Sequence, residues 1–348
     1  TTVYAEDSTA FLLIQRGSKI EAVGTADKPI VFTTAADVKT PGSWGGLLIN
    51  GRSLHNKGND VVGEAGTGNY AGPDADDNSG TLQYLRIEFG GAQLNAENEF
   101  NGLTLSGVGS GTTVDHIHVH ANNDDGIEFF GGTVNAKYVV STANGDDGLD
   151  WTSGFAGKIQ YAVVQQWGSI SSTDPRGIEA DNDKDNGALA PISNPTLSNI
   201  TVVGSSEVPG MNAEGAMLRR GTYAQIDNAV FLNFSSSCLR VDGPESQAAI
   251  GAGDLAMHNV RAYCAKNFHD TGSQALFSEA NGNEVLDSKD VLEDAYSKTP
   301  NFLPKADSGL LTGGKAPSDK FFEAAAFIGA MGEDDWTKEG SWVAIEAF

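Results

Sequence analysis

DDGIEFFGG (residues 124–132), DDGLDWTSG (146–154) and RGIEADN (176–182) are three copies of one short strand and its corner. In each, a Gly is followed by an inward residue, an acidic residue and a second inward residue. Gly126 to Gly148 is a step of 22 residues, and Gly148 to Gly177 one of 29. A period in that range, with one short strand per copy, predicts a coiled parallel β-solenoid. Such a stack sets the acidic residues above one another at the strand spacing of about 4.8 Å. Bare carboxylates that close repel, so the file needs a cation, protons or interleaved bases.

The repeat extends both ways. Gly102-Leu-Thr-Leu, Gly126-Ile-Glu-Phe, Gly148-Leu-Asp-Trp, Gly177-Ile-Glu-Ala, Gly215-Ala-Met-Leu and Cys238-Leu-Arg-Val align on one column. Leu103/Leu105, Ile127/Phe129, Leu149/Trp151, Leu218 and Leu239/Val241 then fall on one face, the period of a strand with one buried side. A second column precedes it: Leu85/Ile87/Phe89, Ile117/Val119, Val139, Ala162/Val164, Ile200/Val202, Ala229/Phe231 and Val260/Ala262. A third short strand is expected within 132–136 and 221–225, with glycines supplying positive-φ corners. The fold expected is all-β: a single right-handed parallel β-helix over 1–314 and a C-terminal cap over 315–348. Loops break the repeat near 52–80, 168–175, 182–195, 204–214, 243–254 and 266–300. The segment SDKFFEAAAFIGAMGEDDWTKEGSWVAIEAF (318–348) suggests a short helix and an aromatic plug over the last coil, where an open strand edge would otherwise pair with another molecule.

A net charge of −24 makes nucleic acid and acidic membrane surfaces poor partners. No apolar run approaches the roughly 18–20 residues needed to span a bilayer. The chain begins at Thr1 without Met, as a mature or trimmed chain would. Residues 11–34 form a first complete coil, so earlier residues are expected to be missing. Cys238 and Cys264 are the only cysteines. They are either a disulfide of an oxidising compartment or two buried thiols.

The strongest chemical constellation is Asp124, Asp125, Glu128, Asp146, Asp147 and Asp150, with Glu179 and Asp181 added by the next coil. Calcium takes six to eight oxygens, which corner and strand carboxylates of neighbouring coils can supply in part. A ladder relieved by Lys, Arg or water is the plainer alternative. Asp74, Asp76 and Asp77 in GPDADDNS (72–79) could hold a second calcium, or simply form a solvated acidic loop.

NGDDGLDWTSG (144–154), with an acidic corner one coil earlier, resembles the calcium site of family 9 pectate lyases, which are right-handed parallel β-helices. The likeness covers about 60 residues. It implies Asp146, Asp147 and Asp150 as ligands, with Asp124 or Asp125 from the earlier coil. In those enzymes calcium bridges the uronate carboxylate, and a lysine of a neighbouring coil removes the proton α to it. That lysine is expected two places after the corner Gly, where this chain has Glu179. An ionised glutamate there is a ligand and a poor base. Arg176 and Lys184 are the nearby substitutes. GSKIEAVGTADKPIVFTT, GSWGGLLINGRS and FFEAAAFIGAMGEDDWTKEGSW resemble a broad group of uncharacterised secreted bacterial β-helix proteins, often lipoproteins or surface proteins. That likeness implies an extracellular or outer-surface location and no reaction.

His116, His118 and His120 alternate outward on DHIHVH and could chelate zinc or copper, a polar outer face being the plainer reading. Arg219, Arg220 and Arg240 follow the acidic file and either grip an anionic sugar or pair with Glu179, Asp181 and Asp242. Trp151 belongs to the core, whereas Trp167, near an insertion, is a sugar-stacking candidate. Two functions remain. The first is a calcium-stabilised surface rod for adhesion, glycan binding or head-to-tail filaments. The alternative is a calcium-dependent lyase of acidic polysaccharide using Arg176 or Lys184 as base, or an inverting hydrolase with carboxyls about 6.5–9.5 Å apart.

Overall fold

The computed structural model describes residues 1–95, 98–167, 175–205, 213–297 and 299–345. Two parallel ladders run along the stack. The short ladder has eight strands, from Leu12–Ile14 and Leu47–Asn50 through Leu103–Ser106, Ile127–Phe130, Leu149–Thr152 and Ile178–Ala180 to Glu214–Leu218 and Ser237–Val241. The long ladder has twelve, with Gly80–Glu88, Thr113–His120, Asn135–Thr142, Lys158–Gln165, Thr196–Val203 and Ala224–Leu232 at its centre. This is the all-β parallel solenoid that the repeat predicts.

Register follows the sequence column residue by residue. Leu103, Ile127, Leu149, Ile178, Ala216 and Leu239 pair in succession, and so do Thr104, Glu128, Asp150, Glu179, Met217 and Arg240. The first set enters one continuous core with Phe129, Trp151, Val119, Val164 and Phe231. The second set faces outward, so burial of alternate residues forces the acidic side chains into one file.

The third strand is not a separate piece. Asn135–Thr142 and Ala224–Leu232 are continuous strands bent at Tyr138 and Asn228, where φ is 55° and 53°. Tyr84, His116, Tyr161 and Asn199 repeat that left-handed bend on other coils. The four aromatic members stack with ring centroids 4.3, 4.4 and 5.0 Å apart, which compensates a backbone conformation unfavourable to bulky residues. The glycine column also departs from expectation. Gly131, Gly132, Gly154 and Gly221 do have positive φ, but Gly126, Gly148 and Gly177 do not. Those three are needed for close approach: a Cβ on Gly148 would lie 2.2 Å from Val164 Cγ1 and 2.8 Å from the Gly177 carbonyl oxygen.

The C-terminal segment differs most from expectation. It contains no α-helix among its described residues, only a 3₁₀ turn at Trp336–Lys338. The two α-helices among the described residues, Pro244–Ala252 and Thr271–Leu276, lie in stretches expected to be loops, and Leu276 and Phe277 close on the core near the last short-ladder strand. Rather than plugging the last coil, residues 310–345 run back along the outside of the long ladder. There Leu310, Ile328, Met331, Trp336 and Trp342 bury against Val140, Val163, Val203, Val230 and Leu232. Ser341 N–H donates to the Ala26 carbonyl at 2.7 Å, at the opposite end of the stack. The reason is that both faces of these strands are apolar, so the outer one needs a cover.

His118, which accepts from Ala344 N–H of that cover, and His120 are both buried and share the Thr142 hydroxyl at 3.0 and 2.8 Å. They are not a solvated outer face, and no metal-ready group among the described residues includes them. Cys238 and Cys264 form a disulfide. No described helix is long and apolar enough to cross a membrane.

Candidate metal and substrate site

Corners and strands together place the carboxylates. Asp147 N–H donates to Asp125 Oδ1 at 2.9 Å, and Arg176 N–H donates to Asp147 Oδ1 at 2.7 Å, so each corner aspartate ties down the coil that follows. Glu128, Asp150 and Glu179 are direct neighbours in the outward file. Three overlapping groups result: Asp124, Asp125 and Asp146; Asp125, Glu128 and Asp150; Asp147, Asp150 and Glu179. Within each, one oxygen per residue lies within 4.8 Å of the others. Seven of the eight carboxylates of the expected constellation are brought together, and Asp181 is left out of the groups.

Burial, and after it the charge of adjacent carboxylates, holds Asp124, Asp125, Glu128, Asp147 and Asp150 well above the usual carboxylate range. Burial raises Glu179 too, with Arg176 and Arg219 opposing.

The two ends of the file are compensated differently. Towards the C-terminal coils it is met by arginine. Arg176 reaches Glu179 at 2.7 Å and Glu214 at 3.2 Å; Arg219 binds Glu179, and Asp181 at 2.8 Å; Arg220 meets Asp181 at 2.6 Å. Arg240 lies 3.4 Å from Glu214 and 3.3 Å from Asp242. Arg176 is therefore buried and committed, which removes it as a substitute base; a guanidinium in such a cluster keeps its proton. At the other end, among the described residues, no lysine or arginine pairs with Asp124, Asp125 or Glu128. Among the described residues, Glu128 accepts only a 2.6 Å bond from Asn101 Nδ2, and Asp150 Oδ1 is buried without a donor. Clustered hard oxygens, some unsatisfied, fit a calcium ion, and Asp124, Asp125, Glu128, Asp146, Asp147 and Asp150 are the residues that would hold it.

Above the file lies an open groove of about 570 Å³, with Thr104, Glu128, Asp150 and Glu179 among the residues that line it. Insertion 52–80 forms one wall through an antiparallel pair, Val61–Val62 with Asn69–Tyr70. It brings in His55, Lys57 and Tyr70, which the sequence marked only as a break in the repeat. Lys57 Nζ is 2.9 Å from Asp183 Oδ2, whereas Lys184 is exposed at the rim. Trp167 sits edge-on to His120, ring centroids 6.4 Å apart, and does not line this groove. Trp151 is fully buried in the core. Asp74, Asp76 and Asp77 gather in no metal-ready group among the described residues; Asp74 and Asp77 accept local bonds from Asp76 N–H and Ser79 Oγ.

A continuous stack of parallel coils, with a groove over one ladder, defines a parallel β-helix protein. The chain belongs to the pectate-lyase-like beta helix domain family, whose pattern matches residues 1–298. Among solved structures it is similar to pectate lyase Pel9A, at 14% identity and a TM-score of 0.51, over 96% of this chain and 86% of that one. That likeness shows the fold. A match to the A-module of Azotobacter vinelandii mannuronan C-5 epimerase AlgE4 spans 74% and 80% of the two chains at 9% identity, but its TM-score of 0.19 carries no argument. No curated protein matches the chain.

Proposed function

We propose that the chain is an extracellular bacterial enzyme that binds acidic polysaccharide in the groove and cleaves it by β-elimination, with Ca2+ held by the carboxylate file. The observation that carries this reading is the carboxylate cluster whose members Glu128, Asp150 and Glu179 line the groove, with no lysine or arginine paired to Asp124, Asp125 or Glu128 among the described residues. A polyanion would not enter an uncompensated acidic site, whereas the same donors loaded with a divalent ion would attract it. Bound calcium would neutralise the uronate carboxylate and so acidify the adjoining C–H. The chain's own residues do the rest. Arg176 and Arg219 neutralise Glu179, which stands where the family 9 lysine is expected. Lys184, exposed at the rim, is the remaining sequence candidate for the base.

The test is an ultraviolet assay for the unsaturated product across pectins, alginates and glycosaminoglycans. A calcium-dependent rise is expected, abolished by chelator and lowered about 10²- to 10⁴-fold in kcat by Lys184→Ala. Flat absorbance over the whole panel would reject the lyase. Glu179 in the lysine place favours a second reading, a non-catalytic rod that adheres to glycan or forms filaments. Its first coil leaves Val3, Tyr4 and Phe11 exposed. Filaments in negative stain together with flat absorbance would support that reading.

A further inference from the structure

We propose that Tyr70 is the catalytic acid of this groove, donating a proton to the leaving sugar oxygen, and that His55 is its positioning residue. The inference rests on the elimination reading above. Eliminating a sugar needs two proton transfers, one from carbon to a base and one to the departing oxygen. The carboxylates of the metal site do not supply the second, because a loaded site needs them ionised.

The tautomer of His55 supplies the argument. The backbone N–H of Lys57 donates to His55 Nδ1 at 2.9 Å, so Nδ1 carries no proton. The ring is neutral, since burial and then the charge of Lys57 push it down to about 4. Its one proton is therefore on Nε2, which lies 3.0 Å from the Tyr70 oxygen. Nε2 donates and the phenol oxygen accepts. The phenol's own proton then has no acceptor among the described residues, although Tyr70 is only 4% exposed. A buried hydroxyl proton without an acceptor is costly, and this one belongs to a residue that lines the groove with Glu128 and Asp150. Burial, and then the charge of Glu128, also hold the phenol above its usual range, so it enters the reaction protonated.

The step balances. The Lys184 amine nitrogen takes the proton beside the uronate carboxylate, and that C–H electron pair becomes the new C=C bond. The C–O bond to the leaving sugar breaks with its pair on oxygen, and that oxygen takes the Tyr70 proton. One proton is gained at Lys184 and one lost at Tyr70. His55 Nε2–H stabilises the phenolate until exchange with water restores both groups.

The experiment compares wild type, Tyr70→Phe and His55→Asn, all calcium-loaded, on the best polymer of the panel. A parallel assay uses an oligouronide whose scissile position carries 4-nitrophenolate, which leaves without a proton. Tyr70→Phe should lose about 10²- to 10⁴-fold in kcat on polymer with KM unchanged, and recover to within about threefold of wild type on the activated substrate. His55→Asn keeps an acceptor for Lys57 N–H and removes the Nε2 donor. It should lose about tenfold on polymer and recover in the same way. A Tyr70→Phe variant with full activity on polymer, or one equally impaired on both substrates, overturns the role of Tyr70 while leaving the lyase intact. A wild type inactive on both substrates overturns the lyase reading, and this inference with it.

Discussion

Asp150 occupies the centre of the acidic file, because it belongs to two of the three carboxylate groups and keeps one buried oxygen without a donor. Asp150→Asn removes one repelling charge and one ligand together. Without calcium the variant should melt at or above the wild-type temperature. With calcium it should lose most of the wild-type rise, as scanning calorimetry would show. A full calcium-induced rise would take Asp150 out of the ligand set. His55 gives a second residue-level expectation with a fixed sign. Its folded value near 4 lies below the usual value of about 6.5. The neutral ring therefore contributes its full stability above about pH 6.5, and this is lost as pH falls through about 4. Ring NMR should show His55 titrating near 4, with amide shifts of the 52–72 wall moving alongside. A midpoint near 6.5 would mean that the ring is not buried against Tyr70.

At the scale of the strand and its corner, the glycine column sets how tightly coils can stack. Gly148→Ala should cost about 1–3 kcal/mol, because Val164 and the Gly177 carbonyl must both move. Urea unfolding measures it, and a neutral result would mean that the coils tolerate wider spacing there. These elements were the legible part of the chain. A period of two with one apolar face leaves a strand a single register, so aligning Gly126, Gly148 and Gly177 was enough to place Glu128, Asp150 and Glu179 side by side. The groove wall was not legible. His55, Lys57 and Tyr70 sit in an insertion without periodicity, and their meeting depends on a hairpin and one ring tautomer. The arginines were only half legible, because long side chains choose partners by reach rather than by register. The cost of a bulky left-handed residue gave no hint that Tyr84, His116, Tyr138 and Tyr161 would stack.

For the whole molecule, the return of residues 310–345 along the long ladder is the main departure from a plain solenoid. Its sequence signal was present in Val139/Val140, Val163/Val164 and Val202/Val203, where consecutive apolar residues leave no solvent-facing side. Trp342 is fully buried and contacts the rings of His116 and Tyr84. Trp342→Ala should therefore cost about 3–5 kcal/mol and raise hydrogen exchange in the early coils, far from the substitution in sequence. Exchange confined to the C-terminal residues would show that the segment only decorates the surface.

Ordinary solenoid repeats know only their neighbours, so such chains can unravel one turn at a time from either tip. Here Ser341 is hydrogen-bonded to both Ala26 and Asp27, a sequence distance of 314 residues for the latter bond. Peeling the first turn must break that seam, and the seam is also stitched to Gln160, Asn199 and Asn228 in the middle. A stack of separable rings thereby behaves like a bound book, whose pages are lost together or not at all.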